Sequence, residues 1–198
     1  MRDAFKKMCR ALGAVVDQAR WSWRFGQFGF RSRMAKPALL TNSARVRIGK
    51  RVSIRKGARI EVVRDGASIE IGDGTSIQFD FHCGAAESVI IGSDVLIAGR
   101  VYISDHDHVF NLRDCPPRGC RDLVASPVII EDGVWLGEGA VVLKGVRIGR
   151  RSVVGANAVV TRNVPSGCVV GGVPAKVIKR IDFIDYTPNR RMDISESR

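Results

Sequence analysis

Two of the three histidines of this 198-residue chain, His106 and His108, stand two residues apart in the segment ISDHDHVF, flanked by Asp105 and Asp107. An imidazole beside a carboxylate is a general-base arrangement: the ring takes a proton from a weak nucleophile as it attacks, and the acid or a backbone carbonyl holds the ring in one orientation. His106 is the candidate base, and His108 a supporting or acceptor-contacting group. The third histidine, His82, lies in an earlier irregular stretch and is read as a loop or surface residue, with acceptor contact as the alternative.

The elements that position these residues are set by a six-residue period. Ile130, Leu136, Val142, Ile148, Val154 and Val160 recur without a miss. Gly137, Gly149 and Gly155 directly follow their apolar residue, and small residues such as Ala140, Ser152 and Ala158 come four places after theirs. The same spacing appears at Ile48, Ile54 and Ile60, and in pieces at Ile71 and Ile77 and at Ile91, Ile97 and Ile103. A period of six matches neither an α-helix nor a long flat strand, and fits a short strand plus a turn. Stacked units of this kind bury an aliphatic interior that no single coil could bury alone, which predicts an all-β parallel β-helix. Three stretches break the register, residues 61–68, 79–88 and 104–127, and the last, the longest, begins at the histidine pair. Long insertions in a repeat array are where function usually sits.

Composition bounds the rest. The net charge is +12, from 32 basic against 20 acidic residues. Such a field attracts phosphates, nucleic acid or anionic lipid. No nucleic-acid-binding motif is found, so a phosphate-bearing coenzyme is favoured and no nucleic acid is expected. Five scattered cysteines, Cys9, Cys83, Cys115, Cys120 and Cys168, predict reduced thiols and a cytoplasmic location. Cys115 and Cys120 flank a Pro-Pro-Arg-Gly turn without the further ligands a zinc site needs. No run of about 18 apolar residues predicts a spanning helix. The organisation expected is a basic, aromatic N-terminal segment over 1–35, a β-helix domain over 36–180 with its loop insertion at 104–127, and a polar tail over 181–198. In the N-terminal segment Arg and Lys are interleaved with Trp21, Trp23, Phe25, Phe28 and Phe30. Two readings stand: an interfacial element at an anionic membrane, or a cap over the open first coil.

The repeats IEDGVW, LGEGAV, VLKGVR, IGRRSV and VGANAV, with the following VTRNVPSGCVVGGVPAKVIKR, closely resemble the C-terminal half of hexapeptide-repeat acetyltransferases. The branch they resemble is that of the maltose, galactoside and nodulation-factor O-acetyltransferases and polysaccharide O-acetyltransferases. The resemblance implies a left-handed β-helix, a homotrimer, acetyl-CoA held between neighbouring helices, and His106 as catalytic base. It implies transfer of an acetyl group to a sugar or glycan hydroxyl, possible lipid-linked acceptors included. Carried over by position, Ala156, Thr161, Arg162, Lys176 and Lys179 contact the coenzyme, and Trp135 lines the active-site groove or, alternatively, a trimer contact. Asp105 and Asp80 complete the acceptor side, the family's substrate-binding asparagine falling near Gln78 or Asp80. Glu138 stands where the family has Ser or Gly. No metal is expected. The competing activities are a sugar N-acetyltransferase or antibiotic acetyltransferase of the same fold, and a metal-binding β-helix like the carbonic anhydrase relatives.

Overall fold

The computed structural model describes residues 16–17, 19–109 and 122–183. Cys9, Cys115 and Cys120, most of the polar tail, and parts of the N-terminal segment and of the long insertion lie outside these residues.

The period of six folds into three sheets that form the walls of a left-handed prism, all their strand pairs parallel except the last of the second wall. The first wall stacks Gln27–Phe28, Val46–Ile48, Ser68–Ile71, Ser88–Ile91, Val128–Ile130 and Arg147–Ile148. The second stacks Arg33–Met34, Ser53–Ile54, Ser76–Ile77, Leu96–Ile97, Trp135–Leu136, Val153–Val154, Cys168–Gly171 and Lys176–Arg180. The third stacks Leu39–Thr41, Arg59–Val62, His82–Ala85, Tyr102–Ser104, Val141–Val142 and Val159–Val160. Two-residue alternation turns Ile48, Ile71, Ile91, Ile130 and Ile148 inward on the first wall and Ile54, Ile77, Ile97, Leu136 and Val154 inward on the second, all buried. Each inward chain lies on its counterpart one coil away, so the core is a continuous aliphatic column.

The chain passes from the first wall to the second, and from the second to the third, by a corner of unvarying length: Ile48 to Ser53, Ile54 to Arg59, Ile71 to Ser76, Ile77 to His82. Extra residues enter only between the third wall and the first, at 42–45, 63–67, 86–87 and 105–127. The register therefore survives more of the chain than the broken pattern suggested. The stretch 79–88 does not leave the prism until Ala85, because Cys83 occupies the inward slot that Ile60 and Ile103 fill in the adjacent coils. Burial among these aliphatic neighbours pushes the Cys83 thiol up in pKa, and Asp105 nearby acts in the same direction, so it packs as a thiol. Cys83 and Cys168 are free and buried.

The β-helix also starts earlier than residue 36. Phe28 pairs in register with Ile48 and Met34 with Ile54, so residues 27–41 make a first coil whose inward positions were disguised by Phe and Met. Trp21 and Phe25 close the open end of that coil, Trp21 Nε1 donating to Met34 O at 3.1 Å. Trp23 and Phe30 remain exposed. Among the described residues no helix is long and apolar enough to cross a membrane.

Candidate active site

His106 stands where the chain leaves the third wall after Tyr102–Ser104, at the root of the longest insertion. The insertion returns along an antiparallel pair, His106–His108 against Leu123–Ala125. Arg64, from the insertion two coils below, donates to Leu123 O at 3.1 Å, and Lys144 pairs with Asp107, so the hairpin is tied to the prism on two sides.

Asp105 is the anchor of the site. Its carboxylate is fully buried and accepts from the backbone N–H groups of Ala86, Glu87 and Ser88, each at 2.7 Å. Its Oδ1 also lies 2.8 Å from His106 Nδ1. Burial alone would raise the carboxyl's pKa. The His106 hydrogen bond and the three backbone donors outweigh it and hold Asp105 below the usual carboxylate range. An ionised carboxylate only accepts, so Nδ1 carries the proton and the Nε2 lone pair is left bare. Among the described residues no hydrogen bond is made at Nε2, and the His106 side chain keeps 16 % of its surface accessible. Ser104 Oγ fixes the backbone beneath it, donating to His106 O at 2.8 Å and accepting from His106 N at 3.2 Å. The ring lies over Gly84, where a Cβ would come within 3.2 Å of its Cε1. A glycine there lets the imidazole rest on the wall.

The wall beneath the ring carries a polar floor of which sequence reading offered only His82, as the alternative to a loop or surface residue, and His82 lies on a third-wall strand. Arg59, His82 and Tyr102 follow one another in register, as do Glu61, Gly84 and Ser104. His82 meets the Tyr102 ring edge-on at 4.9 Å, and its Nε2 lies 3.2 Å from Glu61 Oε1. Burial depresses the His82 pKa, and the nearby Arg59 and His106 act the same way against the pull of Glu61. Glu61 Oε1 is buried yet completes no hydrogen bond of good geometry. Glu61, Tyr102 and Gly84 could not be assigned to this floor from spacing, because the insertions between coils differ in length. The clue available was that Glu61 and His82 each border an insertion.

The other predicted residues are distributed as follows. His108 is exposed, on the same face of the hairpin as His106. Asp80 is not brought to His106: it occupies the corner between the second and third walls in the left-handed backbone region, at φ 58°. Gly57, Arg100, Gly139 and Asn157 share that positive-φ corner position in four of the other coils, and Asp80 fits it because a short polar side chain tolerates it. The length of a third-wall strand, roughly 15 Å, separates it from the insertion edge. Gln78, beside it, is likewise at that far corner. Glu138 pairs with Arg100 at 2.9 Å.

Trp135 is on the outer face of the second wall, 49 % exposed, beside the exposed Leu96. That wall is not the one that ends at His106. Trp135, Val153, Val169 and Lys179 form one register column, placing Lys179 about 14 Å from Trp135, three strand spacings along the prism. Lys176 begins the exposed final strand at the turn from Gly171, and Gly171 lies under the corner that bears the exposed Ala156. Thr161 and Arg162 are exposed at the other end of the last third-wall strand. Ala156, Lys176 and Lys179 therefore share the second-wall side, with Thr161 and Arg162 across the third wall. Among the described residues no three His, Cys, Asp or Glu side chains converge.

A prism built of six-residue coils is the architecture of the hexapeptide transferases. The bacterial transferase hexapeptide (six repeats) family matches residues 127–162. A protein of Escherichia coli K12 named for lipopolysaccharide biosynthesis O-acetyl transfer, WbbJ, is 37 % identical over 150 residues, 73 % of this chain and 76 % of that protein. The galactoside O-acetyltransferase of Lactococcus lactis is 33 % identical over 134 residues, 66 % of this chain and 63 % of that protein. Among solved structures, a hexapeptide-repeat acetyltransferase of Vibrio cholerae complexed with acetyl coenzyme A is similar at a TM-score of 0.62 and 27 % identity, over 85 % of this chain and 78 % of that one. The chain belongs to the hexapeptide-repeat acetyltransferases, and it is an acyltransferase.

Proposed function

We propose that the protein transfers an acetyl group from acetyl-CoA to a sugar hydroxyl in cell-surface polysaccharide or glycolipid synthesis, with His106 as general base. The observation that carries this reading is the Asp105–His106 pair, in which a buried, ionised carboxylate holds Nδ1 and leaves Nε2 free at the root of the insertion. A sugar hydroxyl is a poor nucleophile at neutral pH. Nε2 takes its proton as the oxygen attacks the thioester carbonyl, and the tetrahedral intermediate then expels the coenzyme as thiolate. The imidazolium, stabilised by Asp105, returns the proton to that thiolate, so the enzyme ends as it began. The Tyr102 ring beside His82 suits the face of a sugar ring.

Coenzyme contacts at Ala156, Thr161, Arg162, Lys176 and Lys179 fit the distribution of charge at the C-terminal coils, the cations meeting phosphates. Trp135 and His106 stand on different walls, so one copy's second wall completes the groove beside another copy's insertion. This supports a homotrimer, and light scattering should show a species near three times 21.7 kDa, a stable active monomer refuting it. The names of the relatives support an O-linked sugar acceptor, and buried free thiols suit the cytoplasm. The test is thiol release from acetyl-CoA across free sugars, nucleotide sugars, lipid-linked glycans and amines. His106→Ala should lower kcat by about 10²- to 10⁴-fold with coenzyme affinity little changed. Turnover with amines alone, or lost coenzyme binding in the variant, would overturn the assignment.

A further inference from the structure

The charge of this molecule is sorted along its axis. Residues 16–60, which build the cap and the first two coils, hold twelve Arg and Lys against a single acid, Asp17. Residues 61–109, which build the next two coils and the root of the insertion, hold nine Asp and Glu against two arginines, Arg64 and Arg100. The prism is thus cationic at its capped end and anionic in its middle. Only Arg33, Arg45 and Arg59 of the basic set form ion pairs with carboxylates, at 3.7, 3.6 and 3.5 Å, among the described residues.

The same end exposes aromatic side chains that the core does not use. Trp21 and Phe25 pack over the inward Phe28 of the first coil, which accounts for the cap. Trp23 and Phe30 stay 71 % and 64 % exposed. Each of the two aromatics has a guanidinium over it: Arg24 lies 4.7 Å from the Trp23 ring and Arg31 5.4 Å from the Phe30 ring. Large exposed aromatics are costly in water unless something covers them. Aromatic rings ringed by cations match the boundary of a lipid bilayer, where rings sit among headgroups and each basic residue gains from anionic lipid.

We propose that the capped end of the β-helix docks end-on onto an anionic membrane surface, through Trp23 and Phe30 inserted at the headgroup level and the arginines and lysines of the first two coils around them. The anionic middle coils, repelled by the same surface, keep the axis upright. His106 leaves the fourth coil, three coil rises above the first, about 14 Å up the prism. The site then faces glycan that projects from the membrane rather than the lipid itself. Nucleic acid would use the cations equally well, but the exposed rings sit at the capped end of the prism rather than along a groove that would track a backbone.

The test uses the full chain and sedimentation with vesicles of neutral phosphatidylcholine alone or with about a third phosphatidylglycerol. Binding is expected to the anionic vesicles only, with release in 0.5 M salt. Vesicles brominated in the upper acyl chain should quench a tryptophan signal that Trp23→Phe removes. Trp23→Ser with Phe30→Ser should weaken binding at least tenfold, and Arg24→Glu with Arg31→Glu should abolish it, both variants keeping the parent melting temperature because these side chains are exposed. Each cation removed alone should cost about fivefold. Equal sedimentation with neutral and anionic vesicles, or none with either, overturns the proposal. So does anionic binding that survives Trp23→Ser with Phe30→Ser and is displaced by single-stranded DNA, which would make the end a polyanion site. None of these readouts depends on the acceptor, so the proposal stands or falls apart from the assigned activity.

Discussion

Replacing Asp105 by Asn tests the site through one atom. Oδ1 accepts from Ala86 N–H and faces His106 Nδ1, while Oδ2 accepts from Glu87 N–H and Ser88 N–H. An amide has one acceptor oxygen and one donor NH₂, so it cannot serve both sets. With the oxygen toward His106, NH₂ meets the Glu87 and Ser88 N–H groups and orphans two buried donors. With the oxygen toward Glu87 and Ser88, it orphans only that of Ala86, and the ring can answer the NH₂ by moving its own proton from Nδ1 to Nε2. An orphaned buried donor costs about 1–3 kcal/mol, so the second orientation is preferred by about one such unit, a factor of roughly 5 to 150. The variant should therefore fold, less stable by about 1–3 kcal/mol, with its base in the wrong tautomer. A lone pair removed from Nε2 removes general-base catalysis, and kcat should fall about 10²- to 10⁴-fold while the KM for acetyl-CoA stays within about twofold. Nitrogen-15 NMR of the imidazoles reports the cause directly, the His106 proton on Nδ1 in the parent and on Nε2 in the variant. A variant with kcat within threefold of the parent, or one that keeps the parent tautomer yet loses activity, would refute the reasoning.

Gly84→Ala should press the imidazole from below, since its Cβ would lie 3.2 Å from Cε1; kcat should drop about 3- to 10-fold with melting temperature nearly unchanged, read by steady-state kinetics and calorimetry. Lys176→Ala and Lys179→Ala should do the opposite of His106→Ala, raising the apparent KM for acetyl-CoA with a smaller effect on kcat, and unchanged KM values would move the phosphate contacts elsewhere. Asp105 has its carboxyl pKa depressed in the folded state, so the stability it contributes is complete above the ordinary carboxylate value near 3.9 and is lost as pH falls from there through the folded value. Urea titrations between about pH 5 and 2 should show that acid loss flattened in Asp105→Asn.

The prism was legible wherever the inward residue was Ile, Leu or Val at strict spacing, which covers the coils from Ile91 to Val160 apart from the long insertion. It was hidden where chemistry changed at an inward slot: Phe28 and Met34 made the first coil look like an aromatic leader, and Cys83 made an intact coil look broken. His106 was legible because it borders the longest insertion. Its partners were only half so. Asp105 could be named as an orienting group, yet nothing in its spacing told that three backbone donors from another coil would fix it, since the two-residue detour at 86–87 that supplies them is too short to stand out. Asp80 misled for the converse reason: linear nearness to an insertion is not nearness to the edge where insertions emerge, and its side chain serves a left-handed corner.

Every detour of the chain emerges along one edge of the prism, between the third wall and the first, while the other two edges turn at fixed length. Loop length at that edge is thereby uncoupled from coil rise, since residues added there leave each strand above its neighbour. The molecule is divided into a chassis and a row of sockets. A different loop could be grafted between His108 and Leu123 to present a different acceptor surface beside the same Asp105–His106 pair, without the new loop having to take part in holding the column of aliphatic side chains together.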